Sequence, residues 1–267
     1  MASPIIFTDS VAESYEKYRG TIFFEPYAKD MAERLTKGNI KSILEIACGT
    51  GQVTRLLRAK LPGARIVATD LNPSMIDVAK KIVSEQDKIE WMLADAQVIP
   101  FDENSFDAVI CQFGLMFVPD KQRAVNEAYR VLKPGGRFIF STWDTIQNNS
   151  INNITQEIVN SFFDGDPVTF WEVPFSMYNP QELEKLMANA GFKNISVQNV
   201  LRQGYSPSVH DATTGITVGS PAHSSIMERG PEKLPEIQDK VKEAFIKEYG
   251  EKDLKVPLSA LVAEGVK

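Results

Sequence analysis

From residue 40 to 143 the chain alternates short runs rich in β-branched and apolar residues with stretches of helical period, and few architectures accept that rhythm. Strand, helix and strand in succession form the βαβ unit, which builds a parallel sheet with helices on both faces. Strands are expected at Ser42–Ala47, Arg65–Asp70, Ile89–Asp95, Phe106–Gln112 and Arg137–Trp143. Their interiors (SILEIA, RIVATD, FDAVICQ, RFIFSTW) lack a strict apolar/polar alternation, as strands covered on both sides do.

The helices between them show the 3.6-residue period. Ala124, Val125, Ala128 and Leu132 fall on one face ahead of the breaker Lys133-Pro134-Gly135-Gly136. Phe24, Tyr27, Ala28, Met31, Ala32 and Leu35 do the same before the first strand. Further on, Asn179 is placed to cap a helix, Pro180 suits its first position, Glu182 completes a capping box and Gly191 stops it. A strand follows near Asn194–Leu201, and the chain closes on the apolar run Val256–Val266.

Composition narrows the function. The 267 residues suffice for one large α/β domain or a domain with a cap, and 43% apolar with 24% charged residues is ordinary for a globular chain. A net charge of −6 argues against a nucleic-acid surface, whose affinity comes from clustered Lys and Arg. A small-molecule partner fits better. No stretch nears the ~18 apolar residues of a membrane span, and the first twenty residues show no basic or apolar leader, so a cytoplasmic protein is expected. Cys48 and Cys111 with only His210 and His223 lack the spacing of a zinc site, so no metal is expected. The oligomeric state stays open, a homodimer included.

The chemistry concentrates in Glu45-Ile46-Ala47-Cys48-Gly49-Thr50-Gly51-Gln52, a strand end that turns on glycines into a helix. Glycine lets a ligand approach the backbone closely, and in open α/β sheets that turn is where nucleotides bind. A dinucleotide fingerprint starting at Gly49 would need glycine at position 54, where Thr54 stands, and no Walker Lys-Ser/Thr follows. Glu45 at the strand end favours a cofactor that carries positive charge over a pyrophosphate. Asp70, 19 positions beyond Gly51, is the type and distance to accept from two ribose hydroxyls. Asp95 closes the third strand, where a carboxylate can accept from an adenine amine. One such acid is ordinary, whereas three at successive strand ends form an array.

Taken together, EIACGTG, ATDLNPSMIDVAK, LADAQVIPFDENSFDAVICQFGLMFV and RVLKPGGRF, in that order over residues 42–143, resemble the class I S-adenosylmethionine (SAM)-dependent methyltransferases, most nearly the ubiquinone/menaquinone-biosynthesis group. The resemblance implies a doubly wound, mostly parallel seven-stranded Rossmann-like α/β sheet, with a helical cap inserted before the last strand. It implies SAM as cofactor and S-adenosylhomocysteine as product. Glu45, Ala47, Cys48, Gly49 and Gly51 would surround the methionine end. Asp70 would hold the ribose, Leu71 and Met75 would pack on the adenine, and Asp95 and Ala96 would fix its edge. Gln112 and Phe113 would line the passage to the acceptor. Ala47 departs from the commoner glycine. Tyr15 and Tyr18 resemble aromatics that close over the cofactor, and ordinary helix packing explains them as well.

Two segments are surplus to residues 40–143, the SAM-binding core of a single domain spanning 1–267. They are 144–178, with Trp171, and 204–255, with both histidines, and they form either a substrate cap or a plain structural excursion. His210 or His223 is a candidate proton acceptor for an O, N, S or C nucleophile on a small molecule. No catalytic group is otherwise assigned, because an activated sulfonium methyl needs alignment more than acid–base help. The competing readings are a SAM-binding or partner protein without transfer and, against the broken fingerprint, a nicotinamide oxidoreductase.

Overall fold

The computed structural model of the chain describes residues 14–36 and 38–267. Seven strands form one sheet in the order β3-β2-β1-β4-β5-β7-β6. They are β1 Ser42–Ile46, β2 Arg65–Asp70, β3 Glu90–Leu93, β4 Phe106–Gln112, β5 Leu132–Trp143, β6 Lys193–Ser208 and β7 Lys252–Val266. Strands β1 to β5 run parallel, and β7 lies antiparallel between β5 and β6. From β1 the chain winds outward through β2 and β3, then returns to place β4 on the other flank of β1. That reversal opens a crevice at the carboxyl end of β1, the place where doubly wound sheets bind ligands.

Every residue of β1 is buried, since helices cover both faces, which explains the missing alternation. Edge strand β3 is shorter than expected and largely exposed, and Asp95 lies beyond its end in an isolated bridge with Val98. The Lys133-Pro134-Gly135-Gly136 run ends the helix Lys121–Val131, as read, but Leu132 and the run itself already belong to β5. Gly135 turns there at φ 78°, and the backbone of Gly135 and Gly136 exchanges hydrogen bonds of 2.9 Å with Lys267. A pairing partner distant in sequence thus converts a local breaker into a strand entry.

In the helix Pro180–Ala190, Asn179 accepts from the Gln181 amide at 3.0 Å and Gly191 stops the chain at φ 101°, so local chemistry sets both ends. The surplus segment 204–255 divides. Its ends continue β6 and β7, with Gly204 opposite Val256 and Ser208 opposite Lys252. Helices Val209–Thr217, Ala222–Arg229 and Leu234–Tyr249 are inserted before the last strand, with Ile237, Val241 and Phe245 wholly buried. Among the described residues no helix is long and apolar enough to cross a membrane.

Candidate functional site

The turn after β1 is held from three sides. The Cys48 amide donates to Thr69 O at 2.9 Å, Gly51 N to Cys48 O at 3.0 Å, and Gly49 N to the Asp70 carboxylate at 2.9 Å. Ala47, Gly49 and Gly51 take φ of 53°, 55° and 80°, all left-handed. The two glycines differ in role. A Cβ on Gly49 would meet nothing within 4 Å, so its face is open to a ligand. A Cβ on Gly51 would meet Trp91 at 3.2 Å and Ala79 at 3.4 Å. Gly51 is therefore a packing glycine, kept for the close fit of the turn against β3 and the helix Pro73–Ile82.

Asp70 accepts from Gly49 N at 2.9 Å on one oxygen and from Asn72 N at 2.8 Å on the other. Burial raises its pKa, and those amides pull it back. Asp95 is likewise engaged, its Oδ1 accepting from the Gln97 amide at 2.8 Å, and Ala96 beside it is half-buried. Leu71 is 60% exposed beside the turn, and Met75 is packed with Val78 and Tyr15.

Glu45 corrects a charge argument. Its carboxyl is buried with one partner, the Thr54 hydroxyl at 2.6 Å, and burial pushes its pKa up to about 8. Burial thus favours the neutral acid, where the strand-end position suggested a standing charge. The folded chain keeps a proton that an unfolded one, with its carboxyl at the ordinary 4.5, has released. This contribution to stability is complete below pH 4.5 and is lost as pH rises through 8. Each pH unit of that window removes up to about 1.4 kcal/mol. Urea unfolding at pH 5 and pH 8 is expected to show a larger stability loss in the wild type than in Glu45→Gln; equal losses would remove Glu45 as the cause.

Segments remote from the turn complete the site. The N-terminal π-helix Tyr15–Phe24, a rare geometry enriched at functional sites, lies across the turn. Its Glu16 accepts from Thr50 Oγ1 at 2.5 Å, Gln52 Nε2 at 2.8 Å and Arg55 Nη2 at 3.0 Å. Tyr15 touches Met75 and stacks on Phe24, with ring centroids 4.7 Å apart. Tyr18 instead backs onto the Gly215 helix, where an added Cβ would approach it to 2.9 Å. Of the two tyrosines, Tyr15 faces the site.

Phe113 follows β4 at φ 53°, a costly conformation for a bulky residue. It stacks on Trp143 with centroids 3.9 Å apart and planes 6° from parallel, and meets Tyr27 edge-on at 5.2 Å. The two rings belong to the lining of a small aromatic recess of about 50 Å³. Beside it, Gln112 Oε1 and Ser141 Oγ, on residues paired across β4 and β5, are buried without hydrogen-bond partners. The surplus segments contribute Asn152, Phe170, Pro174, Phe175 and Pro221 to the recess.

Several expected substrate residues lie elsewhere. His210 is exposed, His223 is part-buried with an unpartnered Nδ1, and neither lines the recess. Trp171 is packed in the core, and its neighbour Phe170 lines the recess in its place. Cys48 and Cys111 are free and buried, and burial raises both thiols. Glu16 escaped the sequence reading, since nothing local ties the helix Tyr15–Phe24 to a turn some thirty residues on.

Residues 44–140 match the family described as "Methyltransferase domain". The chain is 30% identical over 213 residues to the Bartonella tribocorum ubiquinone/menaquinone biosynthesis C-methyltransferase, covering 72% of this chain and 81% of that one. It is 41% identical over 103 residues to a demethylmenaquinone methyltransferase of Clavibacter sepedonicus, covering 39% of this chain and 41% of that one. It spans 63% of the length of the Brucella abortus ubiquinone/menaquinone biosynthesis C-methyltransferase, at 30% identity over 58% of its own. Among solved structures, a Thermotoga maritima SAM-dependent methyltransferase superposes with a TM-score of 0.57 at 18% identity, over 97% of both chains. A Haemonchus contortus phosphoethanolamine N-methyltransferase in complex with SAM does so with a TM-score of 0.61 at 18% identity, over 97% of this chain and 57% of that one.

Proposed function

This chain belongs to the SAM-dependent methyltransferase family, and on that premise we propose that it transfers a methyl group from SAM to an oxygen, nitrogen, sulfur or carbon nucleophile of a small-molecule acceptor. The observation that carries the reading is the pairing of Gly49, whose open face admits a ligand to the backbone, with Asp70, bonded to the amide of that same glycine at the sheet's reversal. Bound SAM supplies a sulfonium-activated methyl. Asp70 retains a lone pair on each oxygen for the ribose hydroxyls. Leu71 and Met75 would pack on the adenine, Asp95 and Ala96 would border its edge, and Gly49 with Ala47, Cys48 and Gly51 would shape the turn under the methionine end. Glu45 sits behind that turn.

The remaining residues exclude water and orient the acceptor. The π-helix Tyr15–Phe24, tied down through Glu16, closes the turn from solvent, and Phe113 with Trp143 contributes to an aromatic lining. Residues 144–178 and 209–251 serve as the acceptor cap, with 40–143 as the SAM-binding core of one domain. Titration calorimetry is expected to show binding of SAM and S-adenosylhomocysteine and none of NAD. Radiolabelled methyl transfer to small acceptors, demethylmenaquinone among them, follows. A folded protein that does not bind SAM overturns the reading, and one that binds it but transfers to no acceptor class favours the binding-protein alternative.

A further inference from the structure

Among the described residues Arg19 is the one cationic side chain bordering the recess. Its guanidinium lies 4.8 Å from the ring centroid of Phe23 and 5.4 Å from that of Tyr15, so aromatic rings replace much of its water. Its Nη1 reaches the Gly215 carbonyl only at 3.5 Å, and its Nε is buried with no hydrogen-bond partner. Among the described residues the arginine ion pairs go to other guanidinium groups. Glu16, one turn away on the same helix, is engaged by Thr50, Gln52 and Arg55. Burial lowers the pKa of Arg19, yet guanidinium stays charged at any ordinary pH. A charge held from water without a carboxylate is costly, and the cost falls when an anion arrives.

The surroundings say which ligand brings that anion. The recess is lined by no residue of the glycine turn, nor by Asp70 or Asp95, whereas Asn152, Phe170 and Pro221 of the surplus segments border it. It is the acceptor side. Phe113 and Trp143 stack on each other, and with Phe23, Phe24, Phe117 and Phe170 they make the lining of the recess largely aromatic. A cationic amine acceptor would meet like charge at Arg19, which turns this site away from such substrates.

Resting on the methyl-transfer reading above, we propose that the acceptor is an aromatic carboxylate and that Arg19 receives its carboxylate at the recess while its ring packs among the aromatic rings that line it. Arg19 thereby sets specificity and touches no reacting atom. The probes are 2-naphthoate and its neutral twin 2-naphthamide, titrated calorimetrically into the protein saturated with S-adenosylhomocysteine. Naphthoate is expected to bind at least about tenfold tighter than the amide, the size of a charge-assisted hydrogen bond. Arg19→Met should erase that preference with S-adenosylhomocysteine affinity unchanged, and Arg19→Lys should restore part of it. If the Met variant fails to fold, Arg19→Gln reads the same difference without the charge. A preference that survives loss of Arg19, no preference in the wild type, or no binding of either probe overturns the proposal. So does an Arg19→Met variant that loses S-adenosylhomocysteine but keeps 5′-methylthioadenosine, which lacks the carboxylate, since Arg19 would then serve the cofactor. Failure of the wild type to bind S-adenosylhomocysteine would instead sink the methyl-transfer reading, and the naphthoate pair without cofactor still tests Arg19.

Discussion

Replacing Asp70 by alanine is expected to weaken SAM binding roughly ten- to hundredfold, the loss of a charged acceptor worth about 1.5–3 kcal/mol. The carboxylate does two things at once. It accepts from the Gly49 and Asn72 amides at 2.9 and 2.8 Å, which fixes the turn, and on the proposed reading its remaining lone pairs would take the ribose hydroxyls. Asp70→Asn keeps the shape and one acceptor oxygen and should fall between wild type and alanine. Calorimetry on variants whose circular dichroism matches the wild type reads the effect. Unchanged affinity in both would remove Asp70 from the cofactor site.

Gly114→Ala is expected to destabilise the fold by about 1–3 kcal/mol, the cost of overpacking, and Ala47→Gly in the same chain should recover most of it. A Cβ on Gly114 would collide with the Ala47 Cβ and stand 3.0 Å from Cys111 Sγ, closer than a methyl group tolerates. Ala47 is hard to move, because the next residue is anchored by the Cys48–Thr69 hydrogen bond of 2.9 Å. Ala47 also holds φ 53°, which strains any residue with a Cβ by about 1–2 kcal/mol. Ala47→Gly alone should therefore be neutral or mildly stabilising, relief of strain being offset by the greater backbone freedom of unfolded glycine. Denaturant midpoints of the four proteins in the cycle measure the coupling. Additive effects of the two substitutions would show that the alanine and the glycine do not depend on each other.

That pair also shows how a departure from the usual motif is accommodated. In sequence, Ala47 is a small change from glycine. In the fold it occupies a left-handed position and needs a glycine 67 positions later to make room for its methyl group.

What the sequence determined by itself lies where the physics is local. The β-branched runs set β2 and β4 at their observed bounds, Arg65–Asp70 and Phe106–Gln112, because each is short, buried and closed by polar residues. Asn179 and Gly191 set a helix through hydrogen bonds spanning only a few residues. The glycine turn and the position of Asp70 at the end of β2 were legible for the same reason, whereas Glu45 is buried within β1 and Asp95 lies beyond the end of β3. Tertiary structure decided the rest. It made Gly51 a packing glycine and Gly49 the open one, because the position of Trp91 depends on how β3 docks. It drew Lys133–Gly136 into a strand through Lys267, and carried residues 204–208 and 252–255 into the sheet. Burial, not position, turned Glu45 from an expected charge into a neutral acid. It also brought Arg19 and Glu16 to the site and left both histidines outside the recess. Periodicity and capping act over a few residues, whereas desolvation and the meeting of remote segments exist only once the whole chain has closed on itself.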